Sequence, residues 1–262
     1  MLFWLASYPR AGSNFLWTVI RDVCGIQRAS IEDCPQLMSE LLGGRACDAV
    51  AAQRQLMMSS AQETSATSQA PQFTWNQQAW TKRNVTELMA DPRPYMLKTH
   101  CLSAESNVPA VYIVRDGRDV LVSYAKYTPR SEPGYQLPKE VFRDNLMQRM
   151  VQGCPRYGTW STNVESWIDR PNTIVVRFSD LIRDPMAVVE RLRTELSVPL
   201  VVKGDELPTF EQLHTQNPQL YRRGKVGSWR DEFPADLLPT FWEHHGSMME
   251  RLGFSEERAA VA

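Results

Sequence analysis

The stretch Leu2-Phe3-Trp4-Leu5-Ala6-Ser7-Tyr8-Pro9-Arg10-Ala11-Gly12-Ser13-Asn14-Phe15 decides how the rest of this chain is read. Leu2 to Ala6 is a short, unbroken apolar run, the pattern of a strand buried on both faces of a parallel sheet. Pro9, Gly12, Ser13 and Asn14 mark a tight turn, and a helical pattern follows, running to about Arg28. A strand, a small-residue loop and a helix start together form an anion site. Free backbone N–H groups point outward there, and the helix dipole favours negative charge. Arg10 adds a cation inside the loop. The first expectation is a phosphate cradle.

The pattern repeats along the chain. Tyr95 to His100 reads as a strand ending in polar residues. Val108 to Val114 reads as a third strand, closed by Arg115-Asp116-Gly117-Arg118-Asp119, with a helix starting near Val120. Asn172 to Phe178 is a fourth strand, rich in β-branched residues. Helical patterns cover Val141–Val151, Thr159–Trp167, Met186–Leu196 and Ala235 to about Leu252, whereas Gly204–Gln219 reads as irregular. Strands alternating with helices predict an α/β fold, a single domain over 1–262 with a central parallel sheet flanked by helices. Ligands bind such sheets beyond the carboxyl ends of the strands. Three strand ends carry polar or cationic residues: Arg10 with Ser13, Lys98 with His100, and Arg115 with Asp116.

Bulk properties narrow the classes. The chain has 262 residues and a net charge of −1, so neither a nucleic-acid nor a membrane-surface partner is implied. The apolar N-terminus lacks a signal-peptide layout, and no run is long enough to span a bilayer. The five cysteines are scattered without Cys-x-x-Cys or metal-type spacing, which reads as reduced thiols in a cytoplasmic protein. No metal is expected.

The first loop lacks the Gly-x-x-x-x-Gly-Lys-[Ser/Thr] of a nucleoside-triphosphate P-loop. Arg10, Ser13 and backbone N–H groups can still hold one phosphate. Arg115 and Ser123 can donate to a second anionic group. Taken alone, this turn reads as a surface feature with an Arg115–Asp119 pair of little energetic value. Arg222-Arg223-Gly224-Lys225 is a third cationic turn.

Together these stretches are recognisable. Tyr8-Pro9-Arg10-Ala11-Gly12-Ser13-Asn14-Phe15 resembles the 5′-phosphosulfate loop of sulfotransferases that use 3′-phosphoadenosine 5′-phosphosulfate (PAPS). Ile113 to Tyr124 resembles their 3′-phosphate motif, Arg222 to Trp229 their C-terminal Arg-Lys-Gly-x-x-Gly-x-Trp segment, and Leu97-Lys98-Thr99-His100 the segment with the catalytic His of the soluble, cytosolic-type branch. The short chain resembles bacterial members that modify small natural products.

The resemblance implies the P-loop-like sulfotransferase fold. It implies sulfuryl transfer from PAPS to a hydroxyl or amine of a small-molecule acceptor by in-line displacement, leaving adenosine 3′,5′-bisphosphate (PAP). His100 would be the general base, assisted by Arg10 and Lys98. Arg10, Ala11, Gly12, Ser13 and Asn14 would hold the 5′-phosphate. Arg115, Ser123, Arg222, Arg223 and Gly224 would hold the 3′-phosphate, with Phe15 and Phe178 against adenine. Segments of about 34–80, 101–107 and 127–155 would face the acceptor, with Trp75, Trp80 and Tyr127 as lining residues, and 255–262 would be a frayed tail. Arg10 departs from the family's usual Lys. It keeps the charge but cannot give up a proton. Alternative readings are a nucleoside-triphosphate kinase or an inactive nucleotide-binding protein. The residues do not define an oligomeric state.

Overall fold

Leu2–Ser7 forms the first strand, β1, and every residue in it is buried. The computed structural model describes residues 1–34, 36–42, 79–104, 106–127, 135, 137–204, 207, 209–218, 221 and 224–254. The other strands are β2 (Gln27–Ser30), β3 (Tyr95–Thr99), β4 (Ala110–Val114) and β5 (Thr173–Arg177). They make one wholly parallel sheet in the order β2-β3-β1-β4-β5. β1 is central, with Leu2 opposite Tyr95 of β3 and Trp4 opposite Ala110 of β4.

Side chains alternate across β1 and so supply two cores. Leu2, Trp4 and Ala6 pack with residues of α4 (Gly117–Ala125), α5 (Lys139–Val151), α6 (Trp160–Ile168) and α10 (Leu238–Arg251). Phe3 and Leu5 pack with α1 (Ser13–Cys24), α7 (Phe178–Arg183), α8 (Pro185–Glu195) and Leu213 of α9 (Phe210–Gln216). A short helix over 36–42, α2, and α3 (Val85–Ala90) complete the first layer. The chain runs from β1 toward β2 and β3 on one side, then crosses to β4 on the other. The crevice between the ends of β1 and β4 is therefore the topological switch point.

Several expectations change. The first helix stops at Cys24, where Gly25 takes a left-handed conformation (φ 60°) and caps it, and the edge strand β2 follows. The strand expected to reach Phe178 ends at Arg177, and Phe178 opens α7. α4 starts at Gly117, with the Asp116 side chain accepting from the Arg118 N–H, so Ser123 lies beyond its first turn. α9 occupies part of the region read as irregular, held by a Thr209/Gln212 capping box. Among the described residues, no helix is long and apolar enough to cross a membrane.

Candidate active site

The loop after β1 turns on two residues of positive φ. Gly12 has φ 112°, and Arg10, at φ 72°, is the one non-glycine with positive φ among the described residues. A Cβ on Gly12 would lie 2.5 Å from the Phe178 ring, so the loop backbone closes directly onto that aromatic face. Gly12 is the N-cap of α1 and brings no side-chain cap. Phe15 N–H donates to the Gly12 carbonyl at 3.0 Å, whereas the N–H groups of Ser13 and Asn14 have neither intrahelical partners nor a cap from Gly12, as an anion cradle requires.

The structure brings Arg10, Ser123 and Tyr127 together. Arg10 Nε donates to Ser123 Oγ at 3.2 Å, and its guanidinium lies 4.5 Å from the Tyr127 ring centre. Lys98, near the end of β3, donates from Nζ to Asn14 Oδ1 at 2.6 Å and lies 4.9 Å from the Trp17 ring. Burial, with Arg10 and Arg28 nearby, pushes the Lys98 ammonium down to about 7.

His100 follows β3. Its Nδ1 is 2.8 Å from the Ser7 carbonyl oxygen. A carbonyl oxygen only accepts, so Nδ1 carries the hydrogen and the neutral ring keeps its lone pair on Nε2. Burial, with Lys98 and Arg10 adding to it against the Ser7 bond, pushes the imidazolium down to about 3. The ring is therefore neutral at physiological pH, in the form a base requires. Its backbone is fixed by Asn163, which is fully buried. Asn163 Nδ2 donates to the carbonyls of His100 (3.0 Å) and Tyr157 (2.9 Å), while its Oδ1 accepts from Tyr112 OH at 2.9 Å.

Arg115, at the end of β4, stacks 4.4 Å from the Phe178 ring centre and donates to the Lys225 carbonyl at 2.9 Å. The Arg115–Asp119 pair is not the surface feature expected from the sequence. The Asp119 side chain is 0% exposed and 3.4 Å from Arg115. Its carboxylate accepts from Gly227 N–H (2.8 Å), Trp229 N–H (2.9 Å) and Ser228 Oγ (3.1 Å). One carboxylate thus ties the end of β4 to the C-terminal cationic turn. Arg118, equally buried, forks onto Asp116 and stacks 3.9 Å from Trp229.

A cavity of about 180 Å³ opens beside Arg115, Phe178, Val226 and Gly227. A larger one, about 380 Å³, lies at the opposite end of the strands beside Leu2, Pro109 and Thr173, away from these cations. Phe15 and Phe178 belong to the buried core on the α1 side of the sheet, and Ser13 is buried in the loop. Gly224 adopts φ 56°. Trp75, Arg222 and Arg223 lie outside the described residues, as does the side chain of Trp80. His245, one of three histidines without a motif, is buried against Trp160 and Phe241 and lies within hydrogen-bond distance of Ser161.

The sequence reading gives Asp119 only as half of a surface ion pair and gives Asn163 no role. Asp119 carries a weak signal, being one helical turn from Arg115 in the same motif. Asn163 carries none, since two of its three partners, Tyr112 and His100, are 51 and 63 residues away in sequence.

Comparison with known proteins places this arrangement. The sequence is 26% identical over 196 residues to Sulfotransferase 1E1 of Mus musculus, covering 63% of this chain and 65% of that protein. It is 27% identical over 191 residues to a 3-beta-hydroxysteroid sulfotransferase of Cavia porcellus, covering 61% and 65%. The matches thus span just under two thirds of those relatives. Among solved structures, mouse sulfotransferase SULT7A1, crystallised with PAP, superposes with a TM-score of 0.54 at 15% identity. That match covers 95% of this chain and 84% of the mouse chain, and shows a shared fold. The family described as "Sulfotransferase domain" matches residues 2–253, from the first residue of β1 past the end of α10. That span takes in every element carrying the cations and His100, and the chain belongs to the sulfotransferase domain family.

Proposed function

We propose that this chain transfers a sulfuryl group from PAPS to a hydroxyl or amine of a small-molecule acceptor. The observation that carries this reading is His100, held with its Nε2 lone pair free beside the Arg10/Lys98 pair at the carboxyl ends of β1 and β3. PAPS, when bound, supplies the sulfuryl group. The residues suit it: an uncapped helix start behind Arg10, a glycine closed against Phe178, and a second cation, Arg115, on the same ring.

In this reading His100 Nε2 takes the proton from the acceptor atom as it attacks. Arg10 and Lys98 offset the charge that grows on the departing 5′-phosphate oxygen, held with the backbone of Ala11–Asn14. Arg115 and Ser123, with Arg222, Arg223 and Gly224, hold the 3′-phosphate, and Phe15 and Phe178 face the adenine. Arg10 keeps its proton throughout, so any proton reaching the leaving oxygen from this pair comes from Lys98. Residues 1–262 act as one domain. The segments at about 34–80, 101–107 and 127–155 face the acceptor, Trp75, Trp80 and Tyr127 among them. The relative named for hydroxysteroids supports a small, largely apolar acceptor. The free thiols of Cys24, Cys34, Cys101 and Cys154 fit a reducing, cytoplasmic setting.

The test is ligand-induced thermal stabilisation. PAP alone should raise the melting temperature, and ATP with Mg²⁺ should not. Arg115→Ala should weaken PAP at least tenfold by calorimetry. Stabilisation by ATP–Mg²⁺ alone would favour a kinase. PAP binding without transfer from labelled PAPS to any of a panel of phenols, alcohols and amines would favour an inactive nucleotide-binding protein.

The state of Lys98 gives a second check. An anion beside it favours the ammonium and raises its pKa above about 7. At pH 8 the free protein holds Lys98 mostly neutral, whereas the complex holds it charged. PAP phosphates are already fully ionised there. Binding should therefore take up protons, seen as a dependence of the calorimetric enthalpy on buffer ionisation enthalpy. The uptake should disappear in Lys98→Met. Proton release at pH 8 would contradict this placement of Lys98.

A further inference from the structure

Arg149 lies in the last turn of α5. Its guanidinium stacks 3.9 Å from the Tyr124 ring centre. Its Nε is shut off from solvent and has no hydrogen-bond partner. No carboxylate or carbonyl among the described residues meets its other nitrogens. Three other arginines around the site are each matched to a carboxylate: Arg115 to Asp119, Arg118 to Asp116, and Arg156 to Glu32. The residue as a whole is half-buried, and an enclosed N–H left without an acceptor is costly. Stacking on Tyr124 accounts for its face but leaves its in-plane N–H fork open.

The surroundings are polar and aromatic. Tyr8 packs edge-on to Tyr124 at 5.9 Å, and its hydroxyl is buried without a partner. Tyr124, Tyr157, Cys154 and Arg149 are all close enough to Tyr8 to influence its ionisation. Tyr157 in turn meets the His100 ring edge-on at 6.0 Å. Tyr124 directly follows Ser123, the partner of Arg10. The open guanidinium thus lies a short aromatic path from the proposed base, on the side away from Phe178.

We infer that Arg149 is an anion subsite for the acceptor, taking a carboxylate or similar monoanionic group at the end of the molecule remote from the hydroxyl or amine that is sulfated. This rests on the sulfotransferase reading above and sharpens it. The preferred acceptor is a small aromatic or apolar molecule with one negative charge, whose length matches the span from His100 to Arg149. A bidentate guanidinium–carboxylate pair would fix the acceptor's orientation as well as its affinity.

The experiment uses PAP-saturated protein and calorimetry at pH 7.5. The probes are hydroxyphenyl carboxylic acids with zero to three carbons between ring and acid, each paired with its primary carboxamide. At least one acid should bind ten times more tightly than its amide. That preference should vanish in Arg149→Gln and return in part in Arg149→Lys, with PAP affinity unchanged within twofold in both. Equal binding of acid and amide across the series, including no binding of either, would overturn the subsite in the native protein without recourse to a variant. A preference that survives Arg149→Gln would overturn it as well. Failure of the native protein to bind PAP at all would instead sink the sulfotransferase reading.

Discussion

His100→Ala is expected to lower turnover by about 10²–10⁴, the usual contribution of a positioned general base, while PAP affinity stays within twofold of the native value. The separation follows from the geometry. His100 takes its orientation from the Ser7 carbonyl and its backbone position from Asn163, whereas the cations proposed to hold phosphate lie on the neighbouring loops. Removing the imidazole takes away the proton acceptor and leaves the cradle standing. His100→Gln tests the same point with a side chain that can keep the bond to Ser7 but cannot accept a proton at neutral pH. It should be as inactive as Ala. Turnover near the native level in either variant, with PAP still bound, would remove His100 from the chemistry.

Asp119→Ala is expected to be the most damaging change outside the reacting groups. Its carboxylate is fully enclosed, faces Arg115, and accepts from two backbone N–H groups and one hydroxyl of the 227–229 turn. Removing one partner of a buried charged network costs about 3–5 kcal/mol. In a chain of this size that lowers the melting temperature by about 6–20 °C. The loss should also appear in binding. Arg115 would no longer be held against Phe178, and the turn that follows Arg222, Arg223 and Gly224 would lose its anchor, so PAP affinity should drop at least tenfold. Asp119→Asn keeps the shape but turns an amide toward N–H donors, and should recover little. A variant with native melting temperature and native PAP affinity would show that the turn is held by other contacts.

What the sequence revealed and what it hid have physical reasons. β1, its loop and α1 were legible because a dense apolar run, a proline and a glycine stand in succession. Arg10, Lys98, His100 and Arg115 were legible because each sits at or just after a strand end, where the chain order itself announces a ligand crevice. β2 was hidden because Gln27-Arg28-Ala29-Ser30 is a short polar edge strand behind a helix whose pattern runs on through it. The start of α7 was hidden because no breaker separates Arg177 from Phe178. Asp119 looked like half of a solvated ion pair, because sequence spacing carries no information about burial. Asn163 and Arg149 were invisible for a related reason: each is defined by contacts with side chains distant along the chain, or by a contact that is missing.

The order of strands also has a consequence for how the chain reaches its native state. β1 is wholly apolar down to Ala6 and finds its two partners only further along the chain, at 95–99 and 110–114. At translation rates of ~5–20 residues per second, the sheet's central strand waits on the order of 5–20 s before either edge can be covered. During that interval it exposes two unpaired edges and two apolar faces, the situation that most favours self-association. Folding of this protein is therefore set by long-range closure of the sheet around β1. Fragments ending before 114 should be insoluble, and yield should respond to slower translation or to holdase chaperones more than to mutations that strengthen the individual helices.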